Sequence, residues 1–367
     1  MPSQPMIRLD GVTKVFPGMS RPAVDHLDLE VAEGDLVTLV GPSGCGKTTI
    51  LKMINRLIEP TSGRIFIDGE DALSVEAHQL RRRIGYVIQQ IGLFPHHTIA
   101  ENIATVPALL EWEQDRIDRR VSELVEVVGL DQSMLPRYPS ELSGGQQQRV
   151  GVARALAADP PIMLMDEPFG AVDPIVRGRL QEELLDLHRR LGKTIVFVTH
   201  DIDEALYLGN KVAILNTGGV VEQYGVPVDI LAEPSSDFVA DFLGGERGLK
   251  RLALLPVSEV ELSRGPVVDV QAGVDEAREV MRRHGVDWVG LLDGDKILGW
   301  VWESDLDGRA LPELEPREFL VRLTPDSSLR QALNAVVTNR ARVGVIADQG
   351  RYMGMIDLEA IAERITE

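Results

Sequence analysis

The sequence predicts an α/β domain on a mostly parallel sheet, followed by a module made of two copies of one smaller α+β unit. Three observations lead there. Through the first ~245 residues, short β-branched runs alternate with stretches of helical periodicity. From Gly265 onward the chain repeats at a constant offset of 55, matching Ala277 with Ala332, Leu291 with Ile346, Asp293 with Asp348 and Gly299 with Gly354. The length of 367 residues, 44% apolar and 26% charged, suits two ordinary soluble domains.

Residues 8–16 and 24–31 alternate apolar and polar side chains, the pattern of antiparallel strands with one wet face. Residues 36–40 (LVTLV) form a continuous apolar run expected as a buried strand, and 47–57 continue as a helix. Residues 162–165 (IMLM) and 194–198 (TIVFV) read as two more buried strands. Between them, 175–191 has helical periodicity and stops at Gly192. The first domain is therefore assigned to residues 1–245. Residues 246–264 read as a linker, 265–310 as the first repeat and 311–367 as the second. Each copy runs strand, helix (275–284; 328–339), strand (288–292; 343–347), turn, strand, helix. One ~50-residue copy is marginal alone, so the two are expected to pack on each other.

The chain carries 57 acidic residues against 38 basic ones, a formal net charge of −19. The excess is shared, with 23 basic against 36 acidic residues up to Gly248 and 15 against 21 after it. Such a surface disfavours nucleic acid, whose affinity comes mainly from Lys and Arg on phosphates. The single cysteine, Cys45, excludes an internal disulfide and a multi-cysteine metal site and suits a reducing compartment. No apolar run approaches the ~18–20 residues of a membrane-spanning helix. The start, MPSQPMIRLD, lacks the basic region and apolar core of a signal peptide. The expectation is a cytoplasmic protein that serves a membrane, if at all, from its surface.

Residues 41–48 (GPSGCGKT) fit the phosphate-loop pattern G-x-x-x-x-G-K-[ST], between a buried strand and a helix as that motif requires. Its glycines let backbone N–H groups converge on phosphate oxygens, and the helix start adds partial positive charge. Gly41, Pro42, Ser43, Gly44, Cys45, Gly46, Lys47, Thr48 and Thr49 are thus candidates for binding ATP. Lys47 would reach the β- and γ-phosphates and the Thr48 hydroxyl would ligate Mg²⁺. Residues 162–167 (IMLMDE) end an apolar strand in two carboxylates. Alone, that pair could be an ordinary helix start. Beside a phosphate loop, Asp166 suits Mg²⁺ and Glu167 suits orienting and deprotonating a water.

Residues 142–146 (LSGGQ), followed by QQRVGVARAL, resemble the signature motif of ABC-type ATPases, and fall between phosphate loop and acidic strand in that family's order. The resemblance covers about residues 6–245 and implies an added antiparallel β subdomain and a helical subdomain. It places Gln89 in the Q-loop as a catalytic and Mg²⁺-side residue, Asp173 in the D-loop, His200 as the switch histidine and Phe16 as the adenine-stacking aromatic. Read alone, His200 could be a plain strand-end histidine and Phe16 core packing, and His96 and His97 read as turn residues. Ser143, Gly144, Gly145 and Gln146 begin a helix, a second anion-binding terminus. In the family it holds the γ-phosphate of the partner subunit's nucleotide, which implies a homodimer closing on two ATP molecules. The chain departs from the family at residues 170–173, Gly-Ala-Val-Asp in place of Ser-Ala-Leu-Asp, with the aspartate kept. Cys45, at a helix start, is expected to be more reactive than a buried thiol.

About 94 residues separate Thr48 from Leu142, too few for the coiled-coil insertion of DNA-repair cassettes. The resemblance therefore implies an importer ATPase on the cytoplasmic face of a membrane, docking on a separate permease served by a substrate-binding protein. Residues 91–94 (IGLF) and 97–112 would supply apolar contacts to it. The strings YVIQQIGLFPHHTIAENIATVPALLEW and VTHDIDEALYLGNKVAIL are similar to ATPases of importers for glycine betaine, carnitine or choline. A methionine-type amino-acid importer and a non-transport regulatory ATPase are the alternatives. The C-terminal repeat is similar to a tandem CBS pair, whose cleft often takes adenine nucleotides or cyclic dinucleotides. Its Thr-x-x-Asp pattern is half present, as Trp302 and Asp305, in the first copy and broken, as Asp357 and Ala360, in the second. Ionic-strength sensing and a dimerising clamp are the other roles open to it.

Overall fold

The structure, a computed structural model, describes residues 4–89, 92–170 and 172–366. Met1, Pro2 and Ser3 of the N-terminal stretch, Ile91 of the expected permease-contact segment and Ala171 of the D-loop lie outside them. The chain divides into two units, Met1–Gly244 and Gly245–Glu367.

The strands described in the first unit are β1 (Ile7–Lys14), β2 (Val24–Val31), β3 (Leu36–Val40), β4 (Ser62–Ile67), β5 (Glu70–Asp71), β6 (Ile84–Val87), β7 (Ile162–Asp166), β8 (Thr194–Val198), β9 (Lys211–Asn216) and β10 (Val220–Gly225). One sheet has the order β2-β1-β4-β5 and is antiparallel throughout; β2 alternates buried and exposed residues over most of its length. The other has the order β10-β9-β3-β8-β7-β6, parallel except for β10 at its edge. Every residue of β3, β7 and β8 is buried, as expected of a parallel sheet covered on both faces. Helices Ile99–Leu109, Gln114–Val127 and Gly144–Leu156 pack together around Ile103, Ile117, Val121 and Val150.

Two boundaries fall short of the expected ones. The helix from Lys47 ends at Ile54, not at 57: Arg56 takes a left-handed φ of 48°, and the N–H groups of Leu57 and Ile58 both return to the Lys52 carbonyl. The first strand ends at Lys14, whose carbonyl accepts from Ala23 N and closes the loop that holds Phe16.

In the second unit, β11 (Val267–Asp269), β12 (Trp288–Asp293) and β13 (Lys296–Trp302) form one sheet, and β14 (Arg322–Leu323), β15 (Gly344–Asp348) and β16 (Arg351–Ile356) another. The 55-residue offset extends to the irregularities. The β12–β13 register shifts between Leu291 and Leu292, and the β15–β16 register between Ile346 and Ala347. The copies also exchange lead-in segments: Ser263, ahead of the first, bridges to Met355, and Arg317, ahead of the second, bridges to Trp300. Gly299 and Gly354 permit this, since a Cβ would stand 2.4 Å from the Arg317 carbonyl at one and 2.8 Å from the Ser263 carbonyl at the other. Trp288, Trp300 and Phe319 meet edge to face between the copies, with Val345 and Met355 in the same core.

Two expectations for this unit are corrected. The first copy closes on a short 3₁₀ turn, Glu303–Leu306, and not on a helix; Gly308 (φ 74°) follows, whereas the second copy carries good helix formers through Leu358–Thr366. Residues 246–264 are not a bare linker. Helix Arg247–Leu254 and the turn Val257–Glu259 fold onto the second repeat, with Leu252 fully buried. Leu255 O accepts from Leu329 N, and Val257 N donates to Ser327 O.

Candidate active site

Because β3, β8, β7 and β6 are parallel neighbours, their C-terminal ends open on one edge of the sheet, where open α/β folds place their ligands. The phosphate loop follows β3, Asp166 ends β7 with Glu167 next to it, His200 follows β8 and Gln89 follows β6. Four segments far apart in sequence are thereby brought to one place.

The phosphate loop is shaped for backbone contact. A Cβ at Gly41 would stand 2.2 Å from the Leu215 carbonyl, and one at Gly46 (φ 111°) 2.6 Å from that of Ala23. Ser43 and Gly44 are exposed at the crest, and Pro42 and Thr49 are half-buried. Lys47 is buried, and its ammonium donates to the carbonyls of Gly41 (2.7 Å) and Pro42 (3.1 Å), inside the loop that would wrap a phosphate chain. A buried cation ringed by backbone, at the start of helix Lys47–Ile54, suits a polyphosphate. The Cys45 side chain is 1% exposed, with Sγ 3.7 Å from the Lys47 ammonium. The expected reactivity of Cys45 is not supported, since a thiol enclosed by the loop offers no approach to an alkylating reagent.

The Thr48 hydroxyl donates to Asp166 Oδ1 at 2.9 Å. Burial pushes the Asp166 carboxyl above the usual carboxylate range; the Thr48 hydrogen bond opposes this, and the neighbouring Glu167 charge adds to it. Tyr86 was not foreseen. Its hydroxyl donates to Asp166 Oδ2 at 3.4 Å, and burial, together with Asp166, pushes the phenol far above its ordinary range. Nothing in the string IGYV announces this contact; the pairing of Tyr86 with Leu164 across β6 and β7 creates it. One carboxylate and one hydroxyl beside a phosphate loop fit Mg²⁺, which keeps several waters and shares its ligands with substrate phosphates.

Glu167 is the meeting point. Gln89 Nε2 donates to its Oε2 at 3.1 Å, and His200 Nδ1 lies 3.1 Å from the same oxygen. The Glu167 backbone takes φ 44°, held by its N–H to the Val198 carbonyl, and turns the carboxylate off the strand direction. His200 thus stands just past the end of β8 with Glu167 as its hydrogen-bond partner. Phe16 is half-buried with the Lys14 ammonium over its ring at 5.3 Å, and so is not part of the core.

The signature residues are placed apart from this cluster. Ser143 caps helix Gly144–Leu156, and its hydrogen bonds are exchanged with Gln146: Oγ accepts from Gln146 N, and Ser143 N donates to Gln146 Oε1. Ser143 and Gly144 are exposed, and Gly145 half-buried. Asp173 is exposed, its carbonyl accepting from Arg177 N.

In the first unit a groove of about 380 Å³ runs beside Arg81, Tyr86, Phe94, Val106 and Arg154. In the second unit a cleft of about 940 Å³ is lined by Trp288, Trp302, Arg282, Arg340, Arg342 and Asp357. Asp305, at the Asp position of the Thr-x-x-Asp pattern, is engaged by the Arg317 guanidinium, which holds its carboxyl below the usual range, and it accepts from Trp302 N.

Residues 24–170 match the family described as ABC transporter. The glycine betaine/carnitine/choline transport ATP-binding protein of Bacillus subtilis is 51% identical over 80% of this chain and 77% of its own length. The osmoprotectant import ATP-binding protein of Salmonella typhimurium is 45% identical over 98% of this chain and 96% of its own. An ATP-binding cassette solved as a dimer in a post-hydrolysis state with ADP and Pi is 35% identical, with a TM-score of 0.55, over 60% of this chain and 99% of that one. With the phosphate loop, the paired carboxylates and the signature helix in this arrangement, the chain belongs to the ATP-hydrolysing subunits of the ABC transporter family.

Proposed function

We propose that this chain energises an importer for quaternary-amine osmoprotectants such as glycine betaine, carnitine or choline. It works as a homodimer on the cytoplasmic face, under a transmembrane permease served by a substrate-binding protein, and its second unit is a regulatory tandem CBS pair. One observation carries the substrate class: the 45% identity to the Salmonella osmoprotectant ATP-binding protein runs through 98% of this chain, the second unit included. Among the described residues no helix is long and apolar enough to cross a membrane.

The residues divide the chemistry as follows. Lys47 exchanges its two carbonyl partners for the β- and γ-phosphate oxygens of ATP. Thr48, Asp166 and Gln89 would hold Mg²⁺, which would neutralise phosphate charge. Glu167 accepts the proton of the attacking water, its carboxylate kept in place by Gln89 and His200. Phe16 stacks on adenine. Ser143, with the amides of Gly144 and Gly145, meets the γ-phosphate bound by the partner subunit, and Asp173 lies at that junction. The groove beside Phe94 and Val106 receives a permease helix; Phe94 is 46% exposed and Leu109 73% exposed. Trp112 is better placed for packing than for contact, with the Arg116 guanidinium 3.5 Å from its ring.

For the CBS pair, engagement of Asp305 by Arg317 weakens the adenosine pattern further and favours a salt-responsive or clamping role. Surface ion pairs weaken as the Debye length falls, to about 8 Å at physiological salt. The test is uptake of labelled glycine betaine into vesicles carrying the complete transporter, across a range of internal salt. The full chain is compared with one ending at Gly244. Salt-stimulated uptake that becomes salt-insensitive on truncation supports the reading. No uptake at any salt, with ATPase intact, moves the substrate to amino acids.

A further inference from the structure

The Mg²⁺-side carboxylate has two protein partners, and the second reaches it from an unexpected direction. Asp166 Oδ1 is taken by Thr48 of the phosphate loop. Asp166 Oδ2 is 3.4 Å from the Tyr86 hydroxyl, which donates to it. Strand register makes this contact. β6 and β7 run parallel with Tyr86 opposite Leu164, and side chains two apart on a strand share a face, so Tyr86, Leu164 and Asp166 lie on the same side of the sheet. The Tyr86 ring is half-buried against the core that contains Leu164 and Ile162.

Tyr86 also lines the groove that holds Arg81, Phe94, Val106 and Arg154. Tyr86 therefore borders the groove and, through its hydroxyl, touches the carboxylate. Gln89, three residues on, reaches Glu167 instead, so β6 and the segment after it deliver two separate contacts to the two adjacent carboxylates.

We infer that Tyr86 is a positioning residue that fixes the Asp166 carboxylate for Mg²⁺ and transmits the occupancy of the groove to it. The Mg²⁺ part stands on the contact alone; the groove part rests on the proposed docking of a permease. Loss of one outer hydrogen bond to a metal-side ligand commonly lowers metal affinity by about 10–100-fold.

The test is ADP binding by the full chain, measured calorimetrically with Mg²⁺ and with EDTA, in wild type, Tyr86→Phe and Tyr86→Met. Both variants are expected to keep the EDTA affinity, while the gain in affinity supplied by Mg²⁺ shrinks about tenfold. An unchanged Mg²⁺ gain overturns the inference. A parallel fall with and without Mg²⁺ also overturns it, because the tyrosine then supports the fold of the loop and not the carboxylate. In the complete transporter, the wild-type Mg²⁺ gain should differ more than threefold from that of the isolated chain, and Tyr86→Phe should remove the difference. Equal gains in wild type overturn the groove part. Failure of any permease to co-purify would count against the importer reading while leaving the calorimetric result to stand.

Discussion

The two units of this chain keep different things constant. In the first, four loops of unlike sequence deliver Lys47, Thr48, Asp166, Glu167, Gln89 and His200 to one edge of a parallel sheet, and most of these side chains bond to each other. In the second, two copies of one sequence keep the same strands, the same register shift and the same covered glycines. Yet their side chains at the cleft differ: Trp302 and Asp357 stand at matching positions, as do Asp287 and Arg342. The first unit constrains chemistry at the strand tips; the second constrains the scaffold and leaves its cleft free to vary. Geometry repeats where backbone packs on backbone, and chemistry is fixed where charges must meet.

The contrast can be broken most severely at Glu167. Glu167→Gln should lower hydrolysis by at least ~10²-fold, the usual worth of a positioned general base, while ATP affinity is kept and closed dimer accumulates. Turnover assays with size-exclusion chromatography in ATP check this; hydrolysis near the wild-type rate would assign the base elsewhere. A scaffold change in the second unit should do the reverse. In Gly299→Ala the new methyl meets the Arg317 carbonyl and should cost that unit about 1–3 kcal/mol. Hydrogen exchange should show the loss confined to residues 245–366, with ATP hydrolysis by the isolated chain within twofold of wild type.

The smallest effect separates stability from chemistry at Asp166. Its carboxyl is raised by burial, so the ionised form costs the native state stability. That cost is complete at pH above the raised native value. It disappears as pH falls through that value toward the ~3.9 of an unfolded aspartate. Asp166→Asn should therefore raise Tm at pH 8. The gain should fade below that window, and hydrolysis should be lost at every pH. A lower Tm at pH 8 would show that the Thr48 and Tyr86 hydrogen bonds outweigh the burial cost.

Much of the site was legible because its parts are local. A phosphate loop needs its glycines, lysine and threonine consecutive, and helix Gly144–Leu156 carries its own cap in Ser143 and Gln146. The strands 36–40 and 194–198 were readable to the residue, since continuous burial on both faces demands continuous apolar sequence. Sequence periodicity carries the helix to 57 whereas it ends at Ile54, because its stop is a left-handed Arg56, a residue type without any turn signature. The stretch 246–264 reads as a linker because one short helix gains its stability only from the repeat it covers.

By itself the sequence determined the α/β class, the duplicated module, the anion-binding loops and the pair of acids at a strand end, all set by neighbours along the chain. Tertiary structure decided that Gln89 and His200 share one oxygen of Glu167, that Tyr86 reaches Asp166, that Cys45 is enclosed, and that each repeat lends its leading segment to the other. Those contacts depend on which strands lie side by side and in what register, and strand pairing is set by burial across the whole sheet and not by any one segment.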